Sequence, residues 1–489
     1  MSVDATAISR VLGITTNFFN SAIGGVFNLP QRIAVIGQGN TGQTYSNDPV
    51  EITSAGQAAV LFGYGSPLHL AIKELFPPTG QGVGSIPVTA YPLDDASGAV
   101  VATGAIGAAG TMASAKTYSI YIGRIKAQEV TIPASTVAAD ALALIKTAIS
   151  AVLDMPVNTG TIAAGSLPIT SKWKGQSAND IVIEIVGEVD SGLTFTITQP
   201  TGGATNPDID DALNLIGSKW ETIVLNCLNY DDTATLGKVS TFGDARWGTL
   251  EYKPLFCVYG TKDDYATRSA ITNARKADKT NVIIPVIGCN NLPFVIAGAA
   301  VNKIAVGANN KPASNYADYL TTLTPGSYAV QENYATRNLS ISKGSSDTIL
   351  NNGYVQLNDT VTFYHPDNEV VPGYRYVCDI VKLQNIIYNL RIIFEDPAWK
   401  GCPLLPDSTP TTNADAKKPK DVKTVLGNLA DNLGLKAIIA DPEYTQKNMT
   451  ASINSTNPKR LDTVFPVKLS GNIEVNSIDL NYGFYFGGA

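Results

Sequence analysis

Thr222-Ile-Val-Leu-Asn-Cys227, Pro254-Leu-Phe-Cys-Val-Tyr259 and Val282-Ile-Ile-Pro-Val-Ile287 are three short, nearly unbroken apolar runs. Each is followed by a stretch of helical character, at Thr233–Gly243, Tyr265–Ala277 and Pro293–Val306. A strand that is apolar on almost every residue has to be covered on both faces, so it belongs in a parallel sheet with crossover helices above and below. The segment therefore predicts an α/β core. Toward the N-terminus, Gln31-Arg-Ile-Ala-Val-Ile-Gly37 and Ile86-Pro-Val-Thr-Ala-Tyr-Pro92 supply two further strands, with a helix near Pro67–Phe76 between them. From Leu93 to Leu215 the texture changes to short Thr/Ile/Val strands around one helix at Ala138–Leu153, which reads as a separate module. Toward the C-terminus, a β-rich stretch at Gly353–Phe363 precedes a helix at Tyr374–Glu395, whose Ile380, Leu383, Ile387, Leu390 and Phe394 form an apolar stripe. Asp396-Pro397 stops it, and a second helix, Asp421–Asn432, carries Val422, Val425, Leu426, Leu429 and Leu433 on one face.

The expected fold is thus α/β and multidomain: a parallel α/β core and a C-terminal α+β domain, with an inserted β-rich domain and extended terminal arms. The expected boundaries are an N-terminal arm at 1–28, the first part of the core at 29–92 and the inserted outer domain at 93–215. The α/β core then covers 216–365, the α+β domain 366–465 and a C-terminal strand arm 466–489.

Composition narrows the function. Charged residues make up 16% of the 489, below the usual quarter, which suits a surface largely buried against other subunits. With a net charge of −7 and no basic run beyond Lys417-Lys418-Pro419-Lys420, a footprint for nucleic acid or anionic membrane is missing. The uncharged run Ala96–Ala115 is too poor in large side chains to span a bilayer. Cys227, Cys257, Cys289, Cys378 and Cys402 show no metal-ligand spacing and read as buried thiols of a reducing compartment. The first ten residues lack a signal-peptide pattern, so synthesis in the cytoplasm is expected.

Gly37-Gln-Gly-Asn-Thr-Gly42 follows a strand and matches the dinucleotide fingerprint GxGxxG, with Glu51 as the acid one would seek for a ribose. The fingerprint needs a helix to open at the loop, yet the chain continues through Thr44-Tyr-Ser-Asn-Asp-Pro49, which is turn material. An enzyme holding a nucleotide cofactor on this loop is the alternative reading. His69 and His365, the only histidines, sit in an apolar helix and at a strand end, and read as structural. The pairs Asp94-Asp95, Asp210-Asp211, Asp231-Asp232 and Asp263-Asp264 fall in loops or at helix starts, where carboxylates cap amides. No GxxxxGK[ST] occurs. The expectation is a protein that is not an enzyme, with no catalytic, cofactor-binding or metal-binding residues.

From Phe465 to the end the chain alternates apolar and polar residues. Ile473, Val475, Ile478, Leu480, Tyr482, Phe484 and Phe486 are broken by one slip at Asn476-Ser477. Two readings are open: an arm that completes a neighbour's sheet, or a last strand tucked into its own domain. The segment Ser9–Phe27, with Phe18, Phe19, Ile23 and Val26, is likewise apolar for a chain end.

Taken together the chain resembles the contractile phage tail sheath family. The resemblance lies in Asn47-Asp-Pro-Val-Glu-Ile-Thr-Ser-Ala-Gly-Gln-Ala-Ala-Val-Leu-Phe-Gly63, the helix Ser66–Phe76 and the strand Val88–Pro92. Thr170-Ser-Lys-Trp-Lys-Gly175, Asn179-Asp-Ile-Val-Ile183 and Gly202-Gly-Ala-Thr-Asn-Pro-Asp208 are similar to the inserted module of the Mu-like branch. Tyr374–Phe394, Trp399, Leu426–Leu433 and the terminal strands follow the family's order.

The resemblance implies a homo-oligomer of stacked rings around a tail tube protein, bounded by baseplate and tail terminator proteins. Its contraction would drive the tube through a bacterial envelope. It implies inter-subunit arms at Ile473, Val475, Ile478, Leu480, Tyr482 and Phe484 and at Phe18, Phe19, Ile23 and Val26, with hinges at Gly24, Gly25 and Pro466. Candidate tube-facing helices are marked by Lys382, Arg391, Asp421 and Lys423. The place implied is the virion, after assembly in the cytoplasm of a bacterial host. Another virion structural protein, such as a tube or capsid subunit, is the rival reading.

Overall fold

The computed structural model describes residues 26–249, 251–369 and 373–484. They fall into two compact units, one holding 28–391 with the chain after 470, the other 26–27 with 392–469. Among the described residues the fold is a mixed α/β one with several sheets and eleven helices.

The main sheet of the larger unit has six strands, in the order Asn281–Pro285, Phe256–Thr261, Ile223–Asn226, Ile33–Gln38, Val88–Leu93 and Val50–Ile52. The first five run parallel, and the last closes the edge antiparallel. Strand alternation divides their side chains between two cores. Ile33, Val35, Ile223, Leu225, Phe256 and Val258 enter one, and Ala34, Ile36, Val224, Cys257, Tyr259 and Ile283 the other. Helices Pro67–Leu75 and Pro293–Asn310 cover the first face; Asp210–Ile216 and Thr233–Arg246 cover the second. Each large apolar side chain buried this way contributes about 1.5–3 kcal/mol, which explains why the strands read as continuous apolar runs. The helices start where the sequence says they should. Ser66, Asp232 and Asp264 accept from backbone amides of the first turn, and Pro67 and Pro293 occupy the positions where a missing N–H costs nothing.

Between Val101 and Thr201 lie two antiparallel sheets. One runs Leu193–Thr201, Val101–Gly110, Ser166–Lys174, Val157–Thr159; the other joins Ile183–Gly187, Lys116–Ile122 and Ile125–Lys126, with Val130–Ile132 also on Lys116–Ile122. Lys116–Ile122 and Ile125–Lys126 form a hairpin. Gly123 and Arg124 both have positive φ, 56° and 66°, the geometry of a two-residue turn matched to strand twist; an arginine in the second place hid it. The sequence suggests a separate module, but its apolar core is continuous with that of the parallel sheet, through Ile106, Leu167 and Trp173. Trp173 stands edge-on to Phe294 at 5.8 Å.

In the smaller unit, helix Pro419–Leu435 packs on helix Pro442–Asn448 and on a hairpin of Thr450–Ile453 and Leu461–Val464. Val422, Leu426, Leu429 and Leu433 are buried as their spacing predicts, while Val425 is half-buried.

The long helix Val377–Glu395 departs from its predicted orientation. Of the apolar stripe only Ile380 is fully buried; Leu383, Ile387, Leu390 and Phe394 are half-buried. The face buried instead carries Lys382, Gln384, Asn385 and Asn389. These polar groups meet backbone partners: Gln384 donates to Pro254 O at 2.9 Å, and Asn385 Oδ1 accepts from Leu29 N at 2.8 Å. A buried amide is tolerated when it is hydrogen-bonded, and here the helix seals the ends of the sheet with side-chain amides.

Candidate functional site

The glycine-rich loop is built for packing. Gly37 lies within strand Ile33–Gln38, where a Cβ would stand 2.9 Å from Cys227 Sγ; at Gly39 a Cβ would fall 2.3 Å from the Tyr45 ring. Tyr45 closes the loop, its hydroxyl accepting from Gly39 N and donating to Leu93 O. After Asn40–Gln43 the chain enters a turn and then strand Val50–Ile52, so no helix opens directly at the loop. Glu51 is exposed and pairs with Arg32 at 3.4 Å.

Both histidines are buried. His69 Nδ1 accepts from Gly65 N at 3.0 Å, and burial pushes the imidazole down to about 4. His365 lies 2.6 Å from Phe363 O and 3.2 Å from Asn273 Oδ1, with burial again favouring the neutral ring. Of the acidic pairs, Asp232 and Asp264 cap helices, and Asp95 accepts from Gln38 and Thr41, both at 2.7 Å.

The chain end is a different matter. The last backbone bridge joins Leu469 to Ile439; Pro466 lies half-buried just before it. From Ser470 to Phe484 no ladder forms, and the side chains expected to be an arm stand in the open: Ile473 is 91% exposed, Ile478 74% and Tyr482 87%, with Val475, Leu480 and Phe484 between. Among the described residues the tucked-in strand is not found. Beyond the slip at Asn476-Ser477, Ile478, Leu480, Tyr482 and Phe484 share one parity, so an extended chain presents one wholly apolar face.

The root of this segment is held. Lys382 Nζ donates to Ser470 O at 2.6 Å and Asn472 Oδ1 at 2.8 Å, Asn472 Nδ2 to Ala313 O at 2.9 Å, and Tyr376 hydroxyl to Glu474 Oε2 at 2.8 Å. Of these partners only Lys382 was singled out in the sequence, and for a different role; the one local trace is the Asp379–Lys382 spacing at i,i+3, now a 2.9 Å ion pair.

The other site residues are scattered. Lys382 was a candidate for a tube-facing surface, but its side chain is fully buried, so it presents no charge to a partner. Arg391 is half-buried, its guanidinium 5.7 Å from the Trp220 ring. Asp421 closes the start of its helix, accepting from Lys418 N at 2.8 Å, while Lys423 is exposed. Val26 is buried in the smaller unit, where its carbonyl accepts from Lys436. Phe18, Phe19, Ile23, Gly24, Gly25 and Phe486 lie outside the described residues.

One groove of the smaller unit adjoins the hairpin. It measures about 690 Å³ and is lined by Phe394, Trp399, Leu404, Val422 and Leu461, with Lys417 and Lys459 at its side.

Over 440 residues, 87% of each chain, the sequence is 26% identical to the Mu-like prophage FluMu tail sheath protein of Haemophilus influenzae. A curated relative of this chain is thus a tail sheath protein. No protein-family model matches the chain. Among solved structures, the sheath tail protein of Listeria innocua aligns with a TM-score of 0.48 at 11% identity, covering 91% of this chain and 93% of that one. The sheath tail protein of Desulfitobacterium hafniense gives 0.45 at 12%, covering 94% and 100%. The sheath complex of an extracellular contractile injection system, in its contracted state, gives 0.47 at 10%, covering 97% and 98%. The relatives named here are structural sheath proteins.

Proposed function

We propose that this chain is a structural subunit of a contractile tail sheath, part of a virion or phage-like particle. It polymerises around a tail tube and is linked to its neighbours by strand exchange. The observation that carries the reading is the exposed, unladdered segment Ile478–Phe484, with its apolar residues on one parity, in a chain related to a sheath protein along 87% of its length. An apolar unpaired strand is a liability on a free monomer and an asset in a polymer, where a neighbour's backbone completes it.

The hairpin Thr450–Ile453/Leu461–Val464 is the acceptor that fits. It has two strands only, so each leaves an outer edge without a ladder among the described residues. Leu461 and Thr463, of one parity, line the apolar groove. A strand from a second copy, added beside them with the same parity, would lay Leu480, Tyr482 and Phe484 in the groove. Its single charge beyond Glu474 is Asp479, and the groove's charges are Lys417 and Lys459. Contraction is then a rearrangement of nearly rigid subunits about these links, with tube and baseplate holding the extended state. The alternative, a cofactor enzyme, has a loop filled by Tyr45 and no helix to meet a phosphate.

Negative-stain electron microscopy of the purified chain at rising concentration, beside a version ending at Glu474, tests the proposal. Striated hollow tubes from the full chain and single particles from the truncation are expected. Tubes from both would overturn the arm, and compact monomers from both, even with a tube protein co-expressed, would overturn the sheath reading.

A further inference from the structure

Lys382 is a fully buried lysine in the middle of a helix, a placement that needs its own explanation. An ammonium has three protons to donate, and here each has an acceptor: Asp379 Oδ1 at 2.9 Å, Ser470 O at 2.6 Å and Asn472 Oδ1 at 2.8 Å. Two of the three lie at the root of the C-terminal arm. Asn472 continues the connection by donating to Ala313 O, and it approaches Cys378 Sγ to 3.5 Å. Glu474 is held by the Tyr376 hydroxyl, and burial raises its carboxyl above the usual range despite that bond. The large apolar side chains are exposed on both sides of this point, Ile473 at 91% and those from Val475 to Phe484 at 74% or more, so it is the hydrogen bonds of Ser470, Asn472 and Glu474 that mark the root.

We propose that Lys382 is a latch that fixes residues 470–474 to the larger unit, so that the arm pivots at Val475 and not at Pro466. The inference rests on the reading of the segment as an inter-subunit arm. A buried charge with all its partners in place is costly to disturb, since withdrawing the arm root removes two of the ammonium's three acceptors. The latch therefore sets the arm's reach. The ten residues 475–484 extend over at most about 35 Å, whereas the 19 from Pro466 to Phe484 would extend over about 65 Å. A short tether admits only a subunit in direct contact, which keeps the connectivity of a polymer fixed while its subunits move.

Cys378 is a native probe of the latch. Its thiol is buried beside Asn472 and burial pushes it up to about 12, so it reacts slowly while the root is seated. The experiment is alkylation of the full-length, unassembled chain with N-ethylmaleimide, read residue by residue by peptide mass spectrometry. Lys382→Met is expected to raise the rate at Cys378 at least tenfold while Cys227 and Cys257, deep in the parallel sheet, stay at parent rates. Asn472→Ala is expected to give a smaller rise, also confined to Cys378. An unchanged rate at Cys378 in Lys382→Met overturns the latch, as does a parent Cys378 that reacts as fast as in urea. If Lys382→Met exposes all cysteines together, Asn472→Ala decides: a rise at Cys378 alone supports the latch, and none overturns it. Tubes from the chain ending at Glu474 would remove the arm reading without touching the thiol result. Unchanged thiol rates with no tubes from that truncation would remove the latch alone.

Discussion

At the scale of single residues, two buried charges carry predictions about stability. Arg268 is fully buried, its guanidinium bonded to both carboxylate oxygens of Glu332 at 3.1 and 2.9 Å, to Ser345 and Ser340 at 3.0 Å, and to Asp263 O at 2.6 Å. It ties helix Tyr265–Asn273 to the segments around Glu332 and Ser340. Arg268→Ala removes five bonds and leaves a mostly buried carboxylate alone, a loss of about 3–5 kcal/mol, read as a lowered urea midpoint. Glu332→Gln, which keeps one acceptor for the guanidinium and leaves Arg268 its other three bonds, should lose less. Glu74 is the opposite case, a carboxyl whose Oε2 is buried without a hydrogen bond and whose burial pushes it up to about 7. The folded state holds this proton more tightly than the unfolded chain, with its value of 4.5. The favourable contribution is therefore full below about pH 4.5 and lost as pH rises through 7. Glu74→Gln mimics the protonated acid, so its stability should match the parent's near pH 4 and exceed it at pH 8 by on the order of 3 kcal/mol. Equal midpoints at pH 8 would refute the assignment.

At the scale of elements, the arm is where a backbone change separates folding from assembly. A proline at Leu480 or Val475 removes the N–H that a ladder needs, and both positions are exposed and unladdered. The monomer should keep its circular dichroism and thermal midpoint while tubes disappear; tubes from the proline variants would contradict strand exchange. The elements also show what the sequence exposes. Ile33–Gln38, Ile223–Asn226 and Phe256–Thr261 were legible because both their faces are buried, which makes them apolar throughout, whereas Ile478–Phe484, whose alternation reads as a strand, forms no ladder within the single chain. The long helix was legible as a helix but not in its rotation. Its amphipathic pattern pointed Leu383, Ile387 and Leu390 inward, whereas backbone groups at the sheet ends take up Lys382, Gln384 and Asn385. Such pairing depends on acceptors at Pro254 and Ser470 and on a donor at Leu29, more than 80 residues away in sequence, and no local spacing encodes it. The latch at the root of the arm stayed hidden for the same reason.

At the scale of the whole molecule, sparse charge and a net of −7 set how assembly should answer to salt. Identical subunits that carry the same sign repel as they approach, and that repulsion acts between every neighbouring pair. The interchain attraction proposed for Asp479 with Lys417 and Lys459 is at most a rim ion pair, worth about 0–1 kcal/mol. Burial of Leu480, Tyr482 and Phe484, each about 1.5–3 kcal/mol when fully covered, and backbone pairing are insensitive to ionic strength. Raising salt from about 0.05 to 0.5 M shortens the screening length severalfold, so it should weaken the repulsion more than the single attraction. The concentration at which tubes first appear in light scattering should therefore fall as salt is raised. A rise would mean that ion pairs between subunits, and not the apolar arm, supply most of the cohesion.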